Sequence, residues 1–330
     1  MVAHATSDSA TARGLRPINS MRDLVSITTL IENAFADDMD ASGRAHMREM
    51  RWMGTLFGWM DWLASPGQGL MPGYVWVEDG HIVGNVTVRK LSAFGHGWMI
   101  GNVAVAPDWR RRGIARQMMD ASIELVRHNH GEWIALQVRS DNDAACKLYQ
   151  TLGFVETGEM VYMDCRAPGE YWAKKPTQIT GGRLRPARAS DMSQLYALAQ
   201  SFIPDSIRWA EPVYRSFFDM SMERNLADWF SGERHVWRVV ESVDHLCGAA
   251  LLEIKRRKRW ARLHLWIVPA HDGEYEEALI DNLLAEIPHS IDLMAARLPG
   301  EAVGGRIALL TRGFREVRAL TSMKLTLNET

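Results

Sequence analysis

The stretch VAVAPDWRRRGIARQMM, residues 103–119, decides how this chain is read. An apolar run (Val103, Ala104, Val105) stops at Pro107, and three arginines follow (Arg110, Arg111, Arg112). After Gly113 a helical pattern begins with Ile114, Ala115 and Arg116. A strand that ends in proline and turns into a helix leaves several backbone N–H groups without helical partners. Those donors and the positive end of the helix dipole attract an anion. Glycine at 113 permits a tight turn and close approach of a phosphate, and alanine at 115 keeps the helix start uncrowded. Arginines at a helix N-terminus oppose its dipole, so four of them (110, 111, 112 and 116) are unfavourable there unless an anion is bound. The junction therefore reads as an anion site, with arginines that could reach a diphosphate, rather than a solvated charge run. A nucleic-acid patch would need a basic stripe with interleaved aromatics, which is missing.

The bulk numbers agree with a soluble globular protein. The chain has 330 residues, 47% hydrophobic and 24% charged, a length that suits two domains. Its formal net charge of −2 provides no overall basic field for polyanions, so neither nucleic acid nor membrane is expected as a partner. Three scattered cysteines (Cys146, Cys165, Cys247) form neither a disulfide framework nor a metal spacing, so no metal is expected. No stretch is long and apolar enough for a membrane span. A cytoplasmic location is expected, with residues 1–14 as a disordered tail.

Along the first half, residues 15–17 end a short strand and Ser20 caps a helix to residue 35, with Met21, Leu24, Ile27 and Ile31 at helical spacing. A second helix over about 44–63 carries Met50, Met53, Phe57 and Met60 on one stripe. Asp79-Gly80 joins two strands as a hairpin turn. A strand over 98–106, a helix over 113–128, a strand over 133–138, a helix over 142–151 and a strand over 154–163 complete a mixed α/β sheet with helices on it. A Pro/Gly-rich linker over 166–182 separates this part, 15–165, from a second, 183–330. The second part restarts the text. Leu184-Arg185-Pro186 repeats Leu15-Arg16-Pro17, and Thr311-Arg-Gly-Phe repeats Thr151-Leu-Gly-Phe, which implies two copies of one fold.

Arg110-Arg-Arg-Gly113-Ile-Ala115 matches the Q/R-x-x-G-x-G/A signature of the GCN5-related N-acetyltransferase (GNAT) superfamily. Asn142-x-x-Ala145-x-x-Leu148-Tyr149-x-x-x-Gly153-Phe154 resembles its second block. The resemblance covers about 15–165. It implies tandem acyl-CoA N-acyltransferase domains and acetyl-CoA as acyl donor. Val103, Ala104 and Val105 would pair with the pantetheine arm, and the turn from Arg110 through Arg111, Arg112, Gly113, Ile114 and Ala115 to Arg116 would hold the pyrophosphate. Asn142 would bond the cofactor, and Tyr149 would be the general acid for the departing thiolate. A phenol can serve a thiol leaving group without itself ionising at neutral pH.

Some family members carry a glutamate base where this chain has Gln137, a departure that weighs against the peptide N-terminus subgroup. His96, Glu78 and Asp79 are the other acid–base candidates, each more commonly a turn or edge residue, and no base is assigned. Cys146 has no histidine at an activating spacing, so direct attack by the acceptor in a ternary complex is preferred to an acyl-cysteine route.

The acceptor is expected to be a primary amine of a small molecule or peptide, met by a region rich in Trp52, Trp59 and Trp62 that reads chiefly as core and interface. Asp37, Asp38 and Asp40 read as a solvated loop. The second half puts acidic text, His271-Asp-Gly-Glu-Tyr-Glu-Glu, where the arginines stand in the first, and Leu309 at the tyrosine position. It is expected to be a degenerate copy. Its 255–259 basic run reads as a hairpin cap. The alternative to an enzyme is a non-catalytic acyl-CoA sensor, and a homodimer is compatible with either.

Overall fold

Asp79 and Gly80 both take positive φ, 48° and 75°, the backbone of a two-residue hairpin turn. They join strand β2 (Gly73–Glu78) to β3 (His81–Lys90). The computed structural model describes residues 13–34, 72–91, 94–166, 179, 181–221, 230–242 and 245–327. The expected helix over 44–63 with its tryptophans, the Asp37–Asp40 cluster, most of the tail and most of the linker lie outside the described residues.

Around the hairpin, β1 (Gly14–Pro17) pairs antiparallel with β2, and β4 (Gly97–Val105) pairs antiparallel with β3. Helix α1 (Ser20–Ala34) lays Ile27 and Ile31 against Val75 and Val77, a spacing of four that places both on one face. Helix α2 (Ile114–His128) follows β4 and buries Ile114, Met118, Met119, Ser122, Ile123 and Val126, one stripe of a 3.6-residue period. Gly131 closes it by donating its N–H to Val126 O at 2.9 Å. A Cβ there would come within 2.3 Å of Val126 Cγ1, so glycine is required. Strand β5 (Trp133–Arg139), helix α3 (Asp143–Thr151) and strand β6 (Val155–Arg166) come next.

The order then repeats: β7 (Arg183–Pro186), α4 (Met192–Phe202), β8 (Glu233–Ser242), β9 (His245–Lys255), β10 (Trp260–Ile267), α5 (Glu276–Leu284), β11 (Leu293–Pro299), α6 (Val303–Leu310) and β12 (Arg315–Thr326). In both runs an antiparallel set ends in a parallel pair, β4 with β5 and β10 with β11. Both runs also use the arginine of Leu-Arg-Pro in one way. Arg16 grips Asp23 at 2.6 and 2.8 Å, and Arg185 grips Asp191 at 2.7 and 3.1 Å. Each aspartate also accepts a backbone N–H, from Asn19 or Arg188. The basic run ends as read: 256–258 form a single turn and Arg259, at φ 50°, pairs with Asp292.

Compactness divides the chain differently from the repeat. One unit comprises Met1–Leu136, Lys147–Val155 and Lys324–Thr330, with strand order β1-β2-β3-β4-β5-β12. The other comprises Gln137–Cys146 and Glu156–Met323, with order β5-β12-β6-β11-β10-β9-β8-β7. Strand β6, which closes the first copy in sequence, thus pairs antiparallel with β11 of the second, from Met160↔Pro299 to Arg166↔Leu293. The last residues of the second copy return to the first unit, where Leu327 donates its N–H to Glu132 O. The final strands have changed places.

The Arg185 cluster has a pH signature. The Arg185 guanidinium holds the Asp191 carboxyl below its ordinary value of 3.8. A carboxyl depressed by folding stabilises above its unfolded pKa and loses that contribution as pH falls through the folded one. Thermal melts should therefore lose midpoint below about pH 4 more steeply in the parent chain than in an Asp191→Asn variant.

Candidate active site

The site begins with a distortion in β4. Asn102 sits at φ 53°, and the register against β3 shifts between Asn85 and Thr87. Three side-chain bonds hold this bulge. Asn85 Nδ2 donates to Asn102 O at 3.0 Å, Thr87 Oγ1 to Gly101 O at 2.9 Å, and Asn102 Nδ2 to Thr87 Oγ1 at 3.1 Å. A bulge bends its strand and re-aims the residues beyond it. The parallel ladder of β4 and β5 runs from Gly97↔Trp133 to Met99↔Ala135 only, yet β4 continues to Val105. Past Met99 the strands part, and the open edge that includes Val103, Ala104 and Val105 can pair with an extended ligand as a strand would. Ala104 is buried, while its two neighbours are half-buried.

Where β4 ends, a turn over Pro107–Trp109 leads to α2. Arg111 and Gly113 both take positive φ, 61° and 78°, and no side chain caps the helix. Its first N–H groups therefore point outward from a concave turn, an arrangement suited to an anion. A Cβ built on Gly113 would meet nothing nearer than Gln117 Nε2 at 3.8 Å, so the space beside it is open. Arg110, Arg111, Arg112 and Arg116 are exposed around this turn, Ile114 points into the core, and Ala115 is half-buried.

The arginines are positioned without being neutralised. Arg110 Nε donates to Val105 O at 3.1 Å, and Arg112 Nη2 donates to Asp108 O at 2.9 Å with its guanidinium 4.4 Å from the Trp109 ring centroid. Arg116 Nη1 donates to Thr151 Oγ1 at 3.2 Å, which ties the start of α2 to the end of α3. Its nearest carboxylate among the described residues, Asp120, is 4.0 Å away with both side chains half exposed, a pair worth little.

Tyr149 lies on α3 in the same unit, 6% exposed, its ring centroid 6.1 Å from that of Phe154. The N–H of Phe154 donates to Tyr149 O at 3.0 Å, so the Gly153 turn (φ 89°) folds the chain back on the tyrosine. Asn142 groups with the other unit. It is exposed and does a local job, with Oδ1 accepting the Ala145 N–H at 3.2 Å to cap α3.

The base candidates separate on inspection. Glu78 is buried, paired with Arg13, and accepts from Trp76 Nε1 at 2.9 Å. Asp79 is the hairpin turn, and His96 is exposed. Gln137, which stands at the position of the family's glutamate base, has its Nε2 buried with no hydrogen-bond partner among the described residues. Burial, reinforced by Glu156 and Asp143, pushes the Cys146 thiol up, which disfavours a thiolate nucleophile. Among the described residues no cluster of His, Cys, Asp or Glu could hold a metal, and no helix is long and apolar enough to cross a membrane.

The second copy treats the corresponding helix start differently. Glu276, 1% exposed, turns its carboxylate back onto the N–H groups of Gly273 (2.8 Å) and Tyr275 (3.0 Å) at the entrance to α5. Asp272 accepts the Gly304 N–H at 3.1 Å. Sequence reading took the acidic text as a source of repulsion. In the structure the Glu276 carboxylate itself accepts the Gly273 and Tyr275 N–H groups.

The site thus joins a mixed sheet, whose parallel strands part, to an uncapped, arginine-ringed helix start. Residues 31–154 match the Acetyltransferase (GNAT) family, and the rest of the chain lies outside that match. The fold extends over the chain. It is similar to a GCN5-related N-acetyltransferase from Sphaerobacter thermophilus (TM-score 0.60, 14% identity, 97% of this chain and 98% of that one). A tandem GNAT protein from the clavulanic acid biosynthesis pathway is similar too (TM-score 0.55, 12% identity, 96% and 99%).

Curated relatives share a shorter stretch. The [Ribosomal protein bS18]-alanine N-acetyltransferase of Salmonella typhimurium is 40% identical over 55 residues, 17% of this chain and 37% of that protein. N-alpha-acetyltransferase 30 of Saccharomyces cerevisiae is 33% identical over 61 residues, 18% and 35%. The chain thus spans little more than a third of the length of these relatives.

Proposed function

We propose that this chain is an N-acetyltransferase that moves the acetyl group of acetyl-CoA to a primary amine by direct attack in a ternary complex, with the donor held in the first unit. The observation that carries this reading is the pairing of an open β4 edge with an uncapped helix start whose surrounding arginines, among the described residues, meet no carboxylate nearer than Asp120 at 4.0 Å from Arg116. Acetyl-CoA supplies a thioester-activated acetyl group when bound. The amides from Arg111 to Arg116 hold its pyrophosphate, with the four arginines adding charge. The 103–105 edge aligns its pantetheine arm, and a β4 amide stabilises charge developing on the thioester oxygen. As the new C–N bond forms and the C–S bond breaks, the Tyr149 hydroxyl donates its proton to the leaving sulfur, and the amine's proton leaves to solvent.

The acceptor is a small molecule or the N-terminus of a peptide. The relatives' names favour the peptide, while glutamine at 137 removes one carboxylate that such enzymes use. The second copy serves structure and acceptor shaping, and the Glu276 carboxylate at its helix start supports the view that it takes no coenzyme A there.

Coenzyme A release, followed with a thiol reagent across a panel of peptides, polyamines and amino sugars, tests the activity. Tight acetyl-CoA binding with no turnover on any amine would make the chain a sensor. Gly113→Val places a branched side chain at φ 78° in the open turn. It should raise the KM for acetyl-CoA at least about tenfold, through backbone strain of roughly 1–3 kcal/mol and lost approach to the amides.

A further inference from the structure

In the second unit the parallel strands also part. The β10–β11 ladder runs from Trp260↔Leu293 to Leu263↔Ala296, and β10 continues to Ile267. A cavity of about 330 Å³ lies beside that open edge, lined by His264, Leu265 and Trp266 of β10, Arg297 of β11 and the segment containing Glu211, Phe217 and Phe218. Its volume is at the small end of the ~300–1,000 Å³ typical of ligand pockets.

The lining has two chemistries. One wall is aromatic: Phe218 lies 5.6 Å from Trp266 and Phe217 5.1 Å from His264, ring centroid to centroid. The other side holds one acid and one base. Glu211 is 7% exposed and its carboxylate meets Arg297 Nη1 at 2.8 Å, while the Arg297 side chain stays 43% exposed. A guanidinium has five N–H donors and a carboxylate about four acceptor positions, more than the Glu211 pair and the Arg297–Tyr162 hydrogen bond use. Burial pushes the Glu211 carboxyl above its ordinary value despite Arg297 and Arg262, so a further cation beside it is favourable. His264 is fixed in the wall by its Nε2 contact to Glu253 at 2.9 Å.

A ligand that completes this set carries an ammonium for Glu211, a carboxylate for Arg297 and an apolar group for the rings. We propose that the cavity binds a free α-amino acid with an aromatic or branched aliphatic side chain, which would make the second unit a small-molecule-binding module. A plain amine would give the spare N–H donors of Arg297 no acceptor, and a plain acid would give the spare oxygen positions of Glu211 no cation. The proposal does not depend on acetyl transfer by the first unit.

Isothermal titration of the full chain with four separate probes tests it: L-phenylalanine, L-leucine, phenethylamine and 3-phenylpropanoate. Both amino acids should bind with Kd between about 1 µM and 1 mM, and each one-charge analogue at least about tenfold more weakly. Arg297→Met and Glu211→Gln should each weaken L-phenylalanine at least about tenfold, while Tyr149→Phe, in the other unit, should leave it unchanged. Absence of binding by either amino acid would overturn the proposal. So would equal binding of phenethylamine, or undiminished binding to a folded Arg297→Met chain. The four-probe comparison on the unmodified protein stands even if a variant fails to fold.

Discussion

Replacing Tyr149 by phenylalanine should lower kcat for acetyl transfer by about 10²–10⁴-fold, the range ascribed to a positioned general acid. The substitution keeps the ring that packs 6.1 Å from Phe154 and removes only the hydroxyl, so the fold should hold. The KM for acetyl-CoA should stay within about twofold, because the groups proposed to hold the donor lie on β4 and at the start of α2. A thiol-release assay at saturating donor reads the first quantity and a donor titration the second. Undiminished kcat would show that the departing thiolate is protonated by solvent or another group, and Tyr149 would then be a packing residue. A fall in both parameters together would instead indicate lost donor binding.

Arg312→Met should destabilise the second unit by about 3–5 kcal/mol, the cost of leaving one member of a buried ion pair unpaired. Arg312 Nε and Nη2 meet the two carboxylate oxygens of Asp281 at 2.5 and 2.8 Å, and Nη1 donates to Ala308 O at 2.9 Å. Both side chains of the pair are less than a tenth exposed. A chemical denaturation curve should show an earlier midpoint for the unit that contains α5 and α6. The double variant Asp281→Leu/Arg312→Met should recover most of the loss, because it removes the stranded charge as well as the bond. If the double variant is no more stable than the single, the stabilisation comes from the backbone contacts of Arg312 and not from Asp281.

Local elements were legible where local chemistry dominates. Asp79-Gly80 is a hairpin signal that tertiary packing did not override, and α2 spans nearly the interval its apolar stripe marked. The Arg-Arg-Arg-Gly run pointed to an uncapped helix start because charge and dipole conflict there, and the structure has that start. The bulge at Asn102 was missed. Asparagine tolerates positive φ, but one such residue in a strand carries little weight until its partners Asn85 and Thr87 are placed. The exchange of β6 and β12 leaves no trace in periodicity, since a strand's pattern of faces does not name its neighbour. The role of Glu276 was half visible: its sign could be read, its inward turn could not. The second unit's cavity depends on Glu211 and Arg297, 86 residues apart in sequence and joined only by folding.

The changed places of the last strands bear on how the protein can be dissected. A fragment ending at residue 166 would carry β6 without its β11 ladder, and a fragment starting at 183 would lack the strand that β11 expects. Each would bare unpaired strand edges, a recognised route to aggregation. A single nick in the 167–178 stretch leaves the β6–β11 ladder unbroken. A chain engineered with a protease site there should therefore elute after cleavage as one particle of unchanged size and give two bands only under denaturing conditions. Two fragments co-expressed should rescue one another's solubility. For this fold the severable joint in the sequence is not a severable joint in the molecule.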